Sequence, residues 1–86
     1  MISTESGQRV TRARANIQVI VNKFPEGHIF DPGDLCTLAR ELEEGYVQVG
    51  PYQAAFMNML NYGELVQVPG WMVRGRLPGE PLGFPD

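Results

Sequence analysis

At Gly63 the apolar pattern of this chain changes period. Upstream, Tyr52, Ala55, Phe56, Met59 and Leu60 recur at the three- and four-residue spacing of one helix face. Downstream, ELVQVPGWMVRGRL reads as two short extended runs on either side of Pro69-Gly70, a dipeptide that marks a turn. Glycine tolerates the left-handed conformation that ends many helices, so Gly63 is expected to stop one element and release the next. A hairpin alone is marginal in water. This one therefore needs helices to bury against and a further strand beside it.

The rest of the chain supplies both. Val10, Ala13, Ile17, Ile20, Val21 and Phe24 form one stripe, so the first helix is expected over Val10 to Phe24, closed by Pro25-Glu26-Gly27. Arg9, Arg12, Gln18 and Asn22 lie off that stripe. His28-Ile29-Phe30 is extended by propensity. In Asp31-Pro32-Gly33-Asp34, the first aspartate suits an N-cap, the proline the first helical position, and Asp34 the first turn. Leu35, Leu38, Ala39 and Leu42 then mark a second helix expected to end near Gly45. Tyr46 to Gly50 reads as a turn or a short extended link. Pro51 opens the third helix, with Gln53, Met57, Asn58 and Asn61 facing away from its stripe. Three stripes can be buried only against one another, which predicts one α+β domain over residues 1–77. Pro78 to Asp86 holds three of the seven prolines and is expected to be an extended, irregular tail.

Helix, short strand, helix, helix and hairpin is an order that resembles the winged helix-turn-helix superfamily. Within it, HIF is similar to the first strand, DPGDLCTLARELE to the second helix, PYQAAFMNMLNYG to the third, and ELVQVPGWMVRGRL to strand, wing and strand. The resemblance implies a three-helix domain with a C-terminal β-hairpin wing, and it makes DNA binding the first function to consider. Two features depart from the superfamily pattern. Glu44 to Gly50 is longer than its usual turn between the second and third helices. The exposed face of the third helix also has no positive charge, where DNA readers usually carry basic or hydroxyl side chains.

Composition narrows the classes. At 43% hydrophobic and 20% charged residues the chain is an ordinary globular protein. Cys36 is the one cysteine, which leaves no internal disulfide and suits a small buried thiol in a reducing compartment. No apolar run approaches a membrane span, and MISTESGQRV does not resemble a signal peptide, so a cytoplasmic, soluble protein is expected. The single histidine, His28, sits in an apolar triplet. Helix capping accounts for Asp31 and Asp34, and a solvated helix end for Glu41, Glu43 and Glu44. With no phosphate loop and no ligand pairs, the chain is expected to be no enzyme and to hold no metal or cofactor.

The net charge of −3 opposes coating of nucleic acid by bulk electrostatics. The charges are nevertheless clustered, with Arg9, Arg12 and Arg14 near one end and Arg74 and Arg76 after the hairpin turn. The leading expectation is a small winged-helix regulator or accessory factor of transcription or recombination that binds duplex DNA. Arg12, Arg14, Arg74 and Arg76 would meet phosphates, and Gln53 and Asn58 base edges, with a homodimer adding contacts. The alternative is a protein-interaction module that binds or inhibits a larger machine through Met57, Asn61 and Trp71. Trp71 is either folded back onto the helices or presented to a partner, and folding back is the expectation.

Overall fold

The computed structural model describes residues 4–45 and 47–80, with side chains from residue 7 onward. Three helices, α1 (Thr4–Lys23), α2 (Pro32–Arg40) and α3 (Gly50–Asn61), join three strands, β1 (Ile29–Phe30), β2 (Leu65–Val68) and β3 (Met72–Gly75). The sheet is antiparallel in the order β1-β3-β2. This is the α+β layout expected from the sequence, three helices with a short strand and a C-terminal hairpin in the manner of a winged helix.

The expected signals explain most boundaries. Asp31 caps α2, its Oδ1 accepting from the amides of Gly33 at 2.9 Å and Asp34 at 3.2 Å, with Pro32 at the first helical position. At the end of α3 the amide of Glu64 reaches the carbonyl of Met59 at 2.8 Å, and that of Gly63 reaches Leu60 at 3.2 Å. This paired closure is a Schellman motif, and it requires the left-handed φ of +79° that Gly63 adopts. β2 starts one residue after Glu64, so α3 and the wing are joined with almost no slack.

Four boundaries or burials differ from expectation. α1 starts at Thr4, six residues before the apolar stripe, because extending a packed helix costs little once its nucleus is held. Arg9, Arg12 and Arg14 are thus mid-helix residues. α2 stops at Arg40 and tightens, with the amides of Leu42 and Glu43 bonding three residues back to Ala39 and Arg40. That tightening turns Leu42 outward, where it is 41% exposed and outside the core. Phe24 is also exposed, stacked on His28 with ring centroids 4.6 Å apart and edge-on to Phe30 at 5.0 Å. Of the tail expected to be extended and irregular, residues 78–80 are described; they form a turn and neither helix nor strand, the Glu80 amide donating to the Leu77 carbonyl at 3.1 Å with Gly79 at a φ of +81°. Residues 81–86 lie outside the described residues.

The core gathers Ala13, Ile17 and Ile20 of α1, Phe30 of β1, Leu35 and Ala39 of α2, Tyr52, Ala55 and Met59 of α3, Leu65 of β2 and Val73 of β3. The other expected stripe residues Val10, Val21, Leu38, Phe56 and Leu60 pack around it, half-buried. The long α2–α3 connection is tied to α1 by side chains. Arg9 Nη1 donates to Gln48 Oε1 at 3.1 Å, Arg12 faces Glu43 at 3.5 Å, and Val47 packs on the core. The Tyr52 hydroxyl donates to Glu43 and accepts from Asn16 Nδ2 at 2.9 Å. Burial first, and the Glu43 carboxylate second, push the Tyr52 hydroxyl up to about 12.

β3 reaches α1 at Gly75. A Cβ there would lie 2.6 Å from Cγ1 of Val21, inside van der Waals contact. Val21 is β-branched and has little rotamer freedom on a helix, so it does not step aside. Gly75→Ala is expected to destabilise the fold by about 1–3 kcal/mol, the range for an overpacked site. Adding Val21→Ala should recover much of that loss. Urea unfolding of the two single variants and the double variant checks this through their coupling.

Candidate partner-binding surface

The cationic side chains of the DNA reading already have acceptors. Arg12 pairs with Glu43 of the α2–α3 connection. Arg14 pairs with Glu64 at the end of α3 and lies 5.8 Å from the centre of the Tyr62 ring. Arg74 forms a two-pronged bond to Glu80, Nη1 to Oε1 at 2.9 Å and Nη2 to Oε2 at 2.8 Å. Arg76 donates from Nη1 to the backbone carbonyl of Glu80 at 2.7 Å. These pairs attach to three different parts of the fold, namely the α2–α3 connection, the end of α3 and the turn after β3. On the third helix Gln53 is exposed, whereas Asn58 is half-buried and turns partly toward the body.

Glu80 is the centre of the last arrangement. Its carboxylate also accepts from the Leu77 amide at 2.8 Å. Hydrogen bonds from Arg74, then from the Leu77 amide, lower the Glu80 carboxyl from the usual range to about 2. Arg74 is raised by the same bond. The turn after β3 is therefore fastened to the outer face of the sheet, where Arg74 stands in register between Ile29 of β1 and Val66 of β2.

The residues of the alternative reading fall along one side of the molecule. Met57 and Asn61 are one helical turn apart on α3 and line an open groove of about 580 Å³ with Leu60. Leu65, Val66 and Gln67 of β2 form its other wall. Met57 is 53% exposed. β2 runs along this groove into the turn Pro69-Gly70-Trp71, which places Trp71 beyond its end.

Trp71 is not folded back, contrary to expectation. It is 83% exposed and has a φ of +62°, alone among the described non-glycine residues in being positive. Val68 pairs with Met72, so the loop has three residues, and two of them in succession, Gly70 at φ +90° and Trp71, take positive φ. A bulky aromatic residue in this region is a conformational outlier.

Elsewhere, an open cleft of about 630 Å³ lies beside Phe24, His28 and Phe30, with Gln18, Asn22 and Arg76 on its rim. His28 contacts both rings, stacked on one and edge-on to the other. Cys36 is half-buried rather than buried, and desolvation raises its thiol against a smaller opposing effect of Arg40. Among the described residues no group of His, Cys, Asp and Glu could hold a metal ion, and no helix is long and apolar enough to cross a membrane.

No family model, curated protein or solved structure matches the chain.

Sequence reading missed Leu60, Val66 and Gln67 as groove residues, and Glu43, Glu64 and Glu80 as partners of the arginines. Glu80 had a local signal: it follows Pro78-Gly79, a turn dipeptide that brings it back beside β3. Glu43 and Glu64 pair across long stretches of chain, which no spacing rule captures.

Two outcomes follow. Glu80 has a lowered folded-state pKa, so its contribution is present above the unfolded value of about 4.3 and is lost as pH falls toward about 2. Glu80→Gln should flatten that acid limb of a thermal-denaturation series while leaving the neutral-to-alkaline limb parallel to the parent. Trp71→Gly relieves a left-handed aromatic residue, which costs about 1–2 kcal/mol, but adds unfolded-state freedom of about 0.4–1 kcal/mol. The variant is expected to be as stable as the parent or up to about 1.6 kcal/mol more so, measured by urea midpoint.

Proposed function

We propose that this protein is a protein-interaction module on a winged-helix-like scaffold, which binds or inhibits a larger protein assembly through α3 and the wing. The single observation that carries this reading is Trp71, 83% exposed at the tip of the wing and held at positive φ. Local strain of this kind persists where the surrounding structure over-determines it, and such positions cluster at functional sites. Exposed aromatic residues are also the side chains most enriched in protein interfaces.

Charge supports the same reading. For Arg74 to meet a phosphate it must leave a bidentate carboxylate, and Arg14 must leave Glu64 and the Tyr62 ring. A phosphate would exchange one anion for another, and a carboxylate would be left behind near the polyanion. The exposed stripe of α3, Gln53, Met57 and Asn61, offers hydrogen bonds and apolar area without charge.

The test has two arms. In a low-salt titration on duplex DNA, the protein is expected to show no saturable binding, with Arg12→Ala, Arg14→Ala, Arg74→Ala and Arg76→Ala matching the parent. In nuclease-treated extract, the parent chain should retain a protein that Met57→Glu and Trp71→Gly both fail to retain. Binding to duplex DNA whose log K falls against log salt with a slope of about −3 to −4 would overturn the proposal in favour of phosphate recognition.

A further inference from the structure

We infer that Leu82 and Phe84, just past the turn after β3, close over the outer face of the sheet as a strap latched by Glu80. The inference goes beyond the protein-interaction reading and does not depend on it. It begins with register. Residues directly opposite on neighbouring strands project to the same face of a sheet, and successive residues of one strand to opposite faces. Phe30 stands opposite Val73, and Leu65 opposite Gly75. Phe30, Val73 and Leu65 are buried in the core, which fixes the inner face. Ile29, Val66, Val68, Met72 and Arg74 therefore share the outer one.

That face is built for burial. An antiparallel sheet with one solvated side alternates apolar and polar residues, whereas strands covered on both faces read as near-continuous apolar runs. Here the outer set holds four apolar side chains and one arginine, and Glu80 neutralises the arginine. The four apolar residues stand outside the core and outside the ring of side chains packed against it. Ile29 is 50% exposed. The helices meet the sheet through that core, on the opposite face.

The chain itself delivers the occupant. Glu80 is held at two points: its carboxylate by Arg74 of the central strand, at 2.9 and 2.8 Å, and its backbone carbonyl by Arg76 Nη1 at 2.7 Å. That carbonyl belongs to the peptide bond leading into Pro81, so the next segment starts from a fixed point beside the face. The segment reads Pro-Leu-Gly-Phe-Pro-Asp. A residue before proline is biased toward extended backbone, which applies to both Glu80 and Phe84. Proline has no N–H to give to a ladder, so a strap suits this segment better than a paired strand. In an extended chain, residues two apart point to the same side, which lets Leu82 and Phe84 both meet the sheet. Two and four residues past Glu80 reach at most about 7 and 14 Å. Neighbouring strands are about 4.8 Å apart, so β1 and β2 both fall within that reach of the centre.

Size selects this occupant over a larger one. The strands are two, four and four residues long. At about 4.8 Å between strands and about 3.3 Å per residue, the face spans on the order of 200 Å². A stable dimer buries about 800 Å² on each partner, several times more. One aromatic side chain buries about 150–250 Å², which matches. Charge agrees, since Arg74 and Glu80 offset each other and Pro81 to Pro85 carry none. The strap also adjoins the groove beside α3, because Val66 and Glu80 line that groove as well. Its closure covers Val66 and so sets how much of that wall a partner reaches.

The test uses the full chain, with isotope labels on its methyl groups and on the Phe84 ring. Nuclear Overhauser contacts are expected from that ring to methyls of Ile29, Val66, Val68 or Met72. Phe84→Leu removes the ring and should shift those methyl resonances, while the core methyls of Ile17 and Leu35 keep theirs. The double variant Leu82→Ser, Phe84→Ser, with its fold verified from its amide spectrum, should raise the fluorescence of an added apolar dye several-fold over the parent. Contacts from Phe84 to Phe24 and His28 instead would place the segment in the cleft beside those rings and overturn the strap. Contacts seen only between differently labelled copies would make a second chain the occupant and overturn it too. So would a Phe84 ring with no contact at all and outer-face methyls indifferent to Phe84→Leu.

Discussion

Small residues at the centre of the fold decide how closely its elements approach. Ala13, Ala39 and Ala55, one from each helix, have no exposed surface, and Gly75 brings β3 onto Val21 of α1. Helix axes can pack about 8–10 Å apart, and the lower end of that range needs side chains of this size. Larger residues then fill the space between, with Ile17, Leu35, Tyr52 and Met59 all within the same enclosed core. The placement of α3 and the wing, and so of every candidate contact residue, depends on this close approach. The Schellman closure at Gly63 transmits it, since α3 passes into β2 without a flexible linker.

Charge serves mainly to brace the chain. The connection between α2 and α3 is longer than the superfamily pattern suggests, and a loop of that length costs conformational entropy to order. Arg9, Arg12 and Asn16 of α1 reach across to Gln48, Glu43 and Tyr52, and Val47 anchors the loop on the apolar side. Glu80 does similar work after β3. Individually such exposed pairs contribute little. Together they hold segments that have no regular hydrogen bonding of their own.

Much of the fold was legible because each element carried a local signature. Asp31-Pro32 announced a capped helix, Gly63 a helix stop, and Pro69-Gly70 a turn. What escaped local reading depended on partners distant in sequence. The first turns of α1 have no apolar stripe, so periodicity was silent there. Leu42 had the right spacing for the core, but the tightening after Arg40 rotates it to the surface. At the site, Met57 and Asn61 could be placed on an exposed helix face from spacing alone. The groove could not, because its second wall is β2, which meets α3 there only on folding. The arginines show the same limit from the other side: their number and clustering are visible in the chain, whereas the carboxylates that occupy them are a product of folding.

The wing tip has one more consequence, which concerns light. Trp71 is the only tryptophan, and its indole is almost wholly in water in the folded state. Emission from such an indole starts at the long-wavelength position that unfolded chains also show. Unfolding will therefore shift it little, even as the buried Tyr52 and the whole core come apart. A partner that covers the tip will move the same emission toward the blue and slow its quenching by small solutes. The chain thus carries an intrinsic fluorophore nearly blind to its own folding and sensitive to occupancy of its surface.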